Sequence, residues 1–267
     1  MKVISSLTLS IISIPASAFD FSNANGLFAR RAENDLLIDS ARAEYSQALS
    51  HVSGHDYIFA VEQMARLMSY KGLKLIDSNA PQRVQIFQQC MDDVELINPS
   101  LVGATPQYYY WKGVCLAQWG RANGVIQSLV RSQELIDTLD AGVAIDSTYE
   151  GGGYYRIKGA FLAKLPSLNP FGPTRDLEES KRLLELSIAS PAYSQSSSPE
   201  SDTGDYYFST YYYYAETLEA MGLNDQARTI VNESMARIDS GDIPPSREPE
   251  ERLAYKYLQL EKDRIGQ

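Results

Sequence analysis

Residues 150–166 read EGGGYYRIKGAFLAKLP. Three glycines before an arginine and a Lys-Gly pair suggest either a phosphate-binding loop or a joint between helices. A Walker loop needs a glycine, four residues, then Gly-Lys and a hydroxyl. After Gly153 and four residues this chain has Lys158-Gly159, in reversed order, followed by Ala160. A dinucleotide loop needs its third glycine where Arg156 stands, and no buried strand precedes Gly151. The joint is the reading that survives. Glycines tolerate positive φ and let two backbones approach closely. Arg156 then falls in the first turn of a packed helix, where a buried guanidinium needs a carbonyl or carboxylate partner. A ligand-facing Arg156 is the alternative.

The same stretch holds half of an internal repeat. Lys112-Gly113-x-x-Leu116-Ala117 recurs 46 residues later as Lys158-Gly159-x-x-Leu162-Ala163. A third copy, Tyr214-Ala215-x-x-Leu218, keeps the small residue and the leucine. Four residues before each small residue stands an aromatic: Tyr109, Tyr155 and Tyr211. An aromatic, a small residue and a leucine at these spacings share one helix face. The small residue admits a neighbouring helix, and Gly120 and Gly222 are expected to end their helices at hairpin turns. Such positions define the first helix of a tetratricopeptide repeat.

Outward from these copies almost every segment has helical periodicity, and none alternates at period two. Helices are expected over 26–50, 56–72, 81–97, 106–120, 124–140, 153–165, 175–190, 204–221, 224–239 and 248–265. Breakers such as Ser78-Asn79-Ala80-Pro81 and Asn98-Pro99-Ser100 separate them. The second helices of the pairs match less well: Ser234 and Ser187 stand where small apolar residues are usual, and the loops 166–175 and 194–205 lengthen the period. The expected fold is all-α, stacked antiparallel helical hairpins in a degenerate tetratricopeptide-like array of about ten helices.

The first eighteen residues, MKVISSLTLSIISIPASA, combine Lys2, a short apolar run and Ala16-Ser17-Ala18, a signal-peptidase pattern. Expected domains are a signal peptide at 1–18 and one helical-repeat domain at 19–267, exported to the periplasm after cleavage near Ala18. The run is too short for a permanent span, so stable membrane insertion after cleavage is not expected. Formal charge is −10. That balance argues against nucleic acid, which needs clustered Lys and Arg.

Cys90 and Cys115 lie at comparable depth in an antiparallel pair, so a disulfide and two buried thiols both fit. His51 and His55 in HVSGHD have the spacing of a metal pair, but Gly54 intervenes and no further ligand is evident, so no metal site is expected. No nucleophile elbow, Cys–His signature or cofactor motif is present, and a non-enzymatic protein is expected.

The anomaly is tyrosine. DYYFSTYYYYAETLEA puts Tyr207, Tyr211, Tyr214 and Leu218 on one face and Tyr206 and Tyr213 on another, with Tyr212 on a third. One neighbour cannot bury them all. Candidate groove residues are Tyr206, Tyr212 and Tyr213 with Tyr155 and Arg156, and Tyr108, Tyr110 and Trp111 one hairpin earlier. Packing is the competing role for each.

Taken in order, YYYWKGVCLAQWG, the acidic turn Asp146-Ser147-Thr148-Tyr149, EGGGYYRIKGAFLAKLP and YYYYAETLEAMGLNDQARTIV resemble the T component of tripartite ATP-independent periplasmic (TRAP) transporters over roughly residues 26–240. The chain departs from that family in having no lipid-attachment cysteine and in FGPTRD, where a glycine pair is common. The resemblance implies a periplasmic helical scaffold that self-associates, often as a trimer. It also implies binding to the transporter's solute-binding subunit and a cleft passing an apolar or organic-acid ligand. The expected function is therefore a protein-interaction scaffold and transport accessory. The alternatives are a small-ligand binder with a tyrosine-lined cleft, and an envelope-assembly scaffold unrelated to transport.

Overall fold

The computed structural model describes residues 19–75, 80–190, 207–241 and 248–266. The signal-peptide residues, Ser78-Asn79, Tyr206 and the loop 194–205 lie outside the described residues. The helices are α1 (Ser22–Ala29), α2 (Asp35–Ala48), α3 (Gly54–Lys74), α4 (Ala80–Val94), α5 (Pro99–Val102), α6 (Pro106–Asn123) and α7 (Val125–Val130). They continue as α8 (Ser132–Asp146), α9 (Tyr149–Lys164), α10 (Leu177–Ala189), α11 (Phe208–Ala220), α12 (Asn224–Asp239) and α13 (Glu248–Ile265). Among the described residues there is no strand, and no helix is long and apolar enough to cross a membrane.

The helices are all-α hairpins in two layers. α3, α6, α9, α11 and α13 each pack against the next, and α13 packs back against α3. α2, α4, α8, α10 and α12 lie outside them, each against its hairpin partner. Close stacking rests on the small residues. A Cβ on Gly113 would come 2.7 Å from Leu139 Cδ2, and one on Gly159 would come 3.0 Å from the Ser180 carbonyl oxygen. Ala215 and Ala227 are fully buried between α11 and α12. Leu116, Leu162 and Leu218 are buried beside them, while Tyr109 and Tyr211 are half-buried against the same cores.

Side-chain caps set several starts. Asn34 accepts from Leu37 N at 3.1 Å, Thr105 from Tyr108 N at 3.3 Å and Asp176 from Glu179 N at 2.9 Å, each satisfying an orphan helix donor. α11 ends as a Schellman turn, with Gly222 at φ 79 and Leu223 N–H donating to the Leu218 carbonyl at 2.8 Å.

Several boundaries differ from expectation. The span 26–50 divides into α1 and α2, and 124–140 divides at Arg131, where Ser132 Oγ donates back to the Leu129 carbonyl. Gly120 does not end α6, which runs to Asn123 and stops at Gly124 with φ 95. Gly120 instead leaves room for Ser128, whose Cα would lie 3.2 Å from a Cβ there. α11 begins at Phe208, later than expected. Cys90 and Cys115 are disulfide-bonded, joining α4 to α6 with their Cα atoms 5.7 Å apart.

Candidate functional site

The inner helices line a partly open cavity of about 430 Å³. Each contributes one stripe at helical spacing. α9 gives Arg156, Ile157, Ala160, Phe161 and Lys164; α6 gives Tyr110, Trp111, Val114, Ala117, Gln118 and Arg121. α3 adds Arg66, Ser69, Tyr70 and Leu73, and the C-terminal wall is Tyr207, Tyr212, Tyr213 and, from α13, Leu253, Ala254 and Tyr257. The volume lies in the range of small-molecule sites, and the lining is mostly aromatic and aliphatic.

The joint is what brings charge to this wall. Glu150, Gly151 and Gly152 form a left-handed turn at φ 51, 58 and 67 before α9 resumes right-handed winding. Glycine adopts this conformation freely, whereas Glu150 does so at a strain cost of about 1–2 kcal/mol. Gly152 lies against α10: a Cβ there would come 3.0 Å from the Ser187 Cα. Gly153 faces the Tyr110 ring, 2.3 Å from where its Cβ would stand. The turn aims the Glu150 carboxylate into the wall, where it accepts from Tyr207 Oη at 2.6 Å.

Arg156 is 5% exposed. Its Nη2 donates to Tyr110 Oη at 3.0 Å and to the Glu150 carbonyl at 3.3 Å, and the guanidinium lies 4.2 Å from the Tyr207 ring centroid. Its Nη1 is buried without a hydrogen-bond partner. It makes no ion pair of 4.0 Å or less among the described residues. Glu62 of α3, buried off the cavity, accepts from Tyr149 Oη at 2.7 Å. Burial first, and then the Glu150 charge, push the Glu62 carboxyl up to about 7; Arg66 and the Tyr149 bond pull the other way. Burial and Glu62 hold the Tyr149 phenol well above its usual range.

The other charges at the cavity are largely matched. Glu250 takes Arg31 Nη2 at 2.6 Å and lies 3.6 Å from Arg66 Nε, joining α13 to the N-terminal hairpin. Lys164 pairs with Glu216 at 2.7 Å and sits over the rings of Tyr212 and Tyr213. Glu251 accepts from Phe208 N–H at 2.8 Å.

Of the sequence candidates, Tyr110, Trp111, Arg156, Tyr212 and Tyr213 line the cavity together. Two do not. Tyr108 lies on another side of α6, bonded to Glu95 and Lys112, because two residues along a helix turn a side chain most of the way round. Tyr155 packs among Leu162, Leu165 and Leu183. Tyr206 falls outside the described residues. Glu62, Glu150 and Tyr257 carried no sequence signal strong enough to single them out; the stripe Arg156-Ile157-Ala160-Phe161-Lys164 was legible and would have found the α9 wall. No group of three or more His, Cys, Asp or Glu side chains among the described residues could hold a metal. No protein-family model matches the chain, and no curated protein matches it.

Proposed function

We propose that the chain is a ligand-binding protein that holds an amphiphilic organic acid inside its ring of helices. One observation carries this reading: Arg156, buried at the wall of an apolar cavity, keeps an unpartnered Nη1. An unsatisfied charged donor costs several times a normal hydrogen bond, and an anionic ligand head would remove that cost. Ile157, Phe161, Val114 and the tyrosine faces then accept the apolar remainder.

The test is a fluorescence titration with 1-anilinonaphthalene-8-sulfonate, an anion with an aromatic body. Saturable binding at one site is expected, weakened roughly tenfold to a hundredfold in Arg156→Leu, the range of a charged hydrogen bond. Equal affinity in an Arg156→Leu protein that keeps its near-ultraviolet circular dichroism would show that Arg156 serves packing alone.

A protein-scaffold role draws support from α7, where Val125, at the cavity's edge, and its neighbour Ile126 are 72% and 69% exposed. Exposed apolar surface of this kind marks interaction sites. Under the TRAP resemblance the partner is a solute-binding subunit. Substituting Ile126 with serine would then weaken its capture while leaving the titration unchanged.

A further inference from the structure

The internal repeat aligns α6 and α9 rung by rung along the cavity. Positions 46 apart are equivalent, so Tyr110 matches Arg156, Trp111 matches Ile157, Val114 matches Ala160 and Gln118 matches Lys164. All of these side chains line the cavity. Tyr110 Oη accepts from Arg156 Nη2 across the first rung at 3.0 Å. Gln118 and Lys164 stand eight residues further along their helices, about 12 Å at the α-helical rise. The two walls are therefore polar at two levels and apolar between them.

The far rung is incomplete in a specific way. Lys164 is matched, since it pairs with Glu216 at 2.7 Å and sits over the Tyr212 and Tyr213 rings. Gln118 is not: its Oε1 is buried and has no hydrogen-bond partner among the described residues. A carboxamide oxygen only accepts, so the missing partner is a donor. A buried acceptor left without one costs more than a neutral hydrogen bond normally returns. Arg121, one turn beyond on the same face of α6, is exposed to water and makes no ion pair of 4.0 Å or less among the described residues. Being solvated, it does not call for a counterion as a buried guanidinium does.

We infer that the ligand is bifunctional, an ω-hydroxy fatty acid whose head sits at Arg156 and whose terminal hydroxyl donates to Gln118 Oε1. Resting on the cavity being an anion site, this adds the ligand's second group and its length. An all-staggered chain of about ten carbons spans the two rungs. Its methylenes lie against Val114, Ile157, Ala160 and Phe161. A second carboxylate has no proton to donate at neutral pH and would set oxygen against oxygen at Gln118. An ammonium could donate, but it would meet the like charges of Lys164 and Arg121.

Isothermal titration with decanoate and with ω-hydroxydecanoate tests this. The hydroxylated chain is expected to bind about fivefold to tenfold more tightly, the return on satisfying a buried acceptor. In an apolar pocket without an acceptor, a hydroxyl gives up water for nothing and weakens binding, so the sign of the difference is the readout. Gln118→Leu should keep decanoate binding and reverse the preference. At six carbons the hydroxyl falls short of Gln118, and ω-hydroxyhexanoate should bind no better than hexanoate. Decanoate binding that Arg156→Leu weakens, with no preference for the hydroxyl, overturns the second contact and leaves the anion site standing. A preference that survives in Gln118→Leu, or that is equal at six carbons, removes Gln118 as its cause. Tighter binding of decanedioate than of ω-hydroxydecanoate overturns the hydroxyl in favour of an anion at Arg121. Absence of binding by either ten-carbon acid, or binding that Arg156→Leu leaves intact, overturns the anion site and the second contact together.

Discussion

α6 and α9 carry the same Lys-Gly-x-x-Leu-Ala pattern 46 residues apart, yet they begin in opposite ways. α6 starts with Thr105 capping the Tyr108 amide and Pro106 in the first turn. α9 starts with the left-handed turn at Glu150, Gly151 and Gly152. Beyond these starts the helices do the same work: Gly113 and Gly159 each admit an outer helix, and each helix turns one stripe to the cavity. Tyr110 and Arg156 occupy equivalent positions of the two copies and bond to each other. The repeat therefore builds the ring, and the left-handed turn that departs from it brings Glu150 to the wall.

The largest break in this comparison comes from making the same substitution at the start of α9 and at the end of α6. Gly152→Ala must hold φ 67 and also place a methyl against Ser187 and Ser190. About 1–2 kcal/mol of backbone strain adds to about 1–3 kcal/mol of overpacking, so a loss of about 3–4 kcal/mol is expected by urea denaturation. Gly124→Ala, at the end of α6, meets the same sign of φ with nothing within 4 Å. Gly124 has ψ 167, an extended conformation with positive φ that is close to glycine-only, so the variant should lose only that strain, about 1–3 kcal/mol. A Gly152→Ala loss no larger than the backbone strain alone, about 1–2 kcal/mol, would mean that close packing of α10 on the joint contributes nothing.

Glu62 sharpens the comparison through pH. Its folded-state carboxyl sits near 7 against 4.5 when exposed. Below the exposed value both states hold the proton, and folding gains fully from the neutral carboxyl. As pH rises toward 7 the unfolded chain releases its proton first, so stability falls and the loss is complete once the folded group ionises. The gap corresponds to a loss of up to about 3 kcal/mol. Other carboxylates here, including Glu95, Glu134 and Glu179, have lowered values and oppose the trend in acid. The informative quantity is therefore the difference from Glu62→Gln: equal stability near pH 4.5, with the variant more stable by up to about 3 kcal/mol at about pH 8. A constant difference across that range would remove Glu62 as a buried titrating group.

The fold was legible where its cause is local. Tyr109, Gly113 and Leu116 announce a helix face at spacings of four and three, and Gly222 announces a turn. The break at Arg131 was not legible, because apolar periodicity runs through it and the Ser132 back-bond to Leu129 that accompanies it has no signature in the spacing. In the cavity, Tyr110, Trp111, Arg156, Tyr212 and Tyr213 stood out as aromatic excess or an arginine inside a packed helix. Glu62 and Tyr257 did not, since their place depends on which helix faces close the ring. The bond between Arg31 and Glu250 spans 219 positions and leaves no trace in either neighbourhood. Sequence periodicity specifies what each helix buries; curvature of the array decides what the buried faces enclose.

Thr105→Ala gives the smallest effect and separates the two helix starts most cleanly. The hydroxyl satisfies one orphan amide in the first turn of α6, and its loss should cost about 1 kcal/mol by denaturation, as at other N-caps. Pro106 already presets the φ of the first turn, so the helix is expected to keep its start and its register. Tyr110 and Trp111 lie a full turn further in, packed against Tyr149 and Tyr154, and should keep their places on the cavity wall. Binding of the sulfonate probe is therefore expected to be unchanged in this variant, whereas Gly152→Ala, which moves the turn carrying Glu150, should weaken it. A Thr105→Ala protein that loses probe affinity as strongly as Gly152→Ala would mean that both helix starts are equally coupled to the site, and that the left-handed turn holds no special position in it.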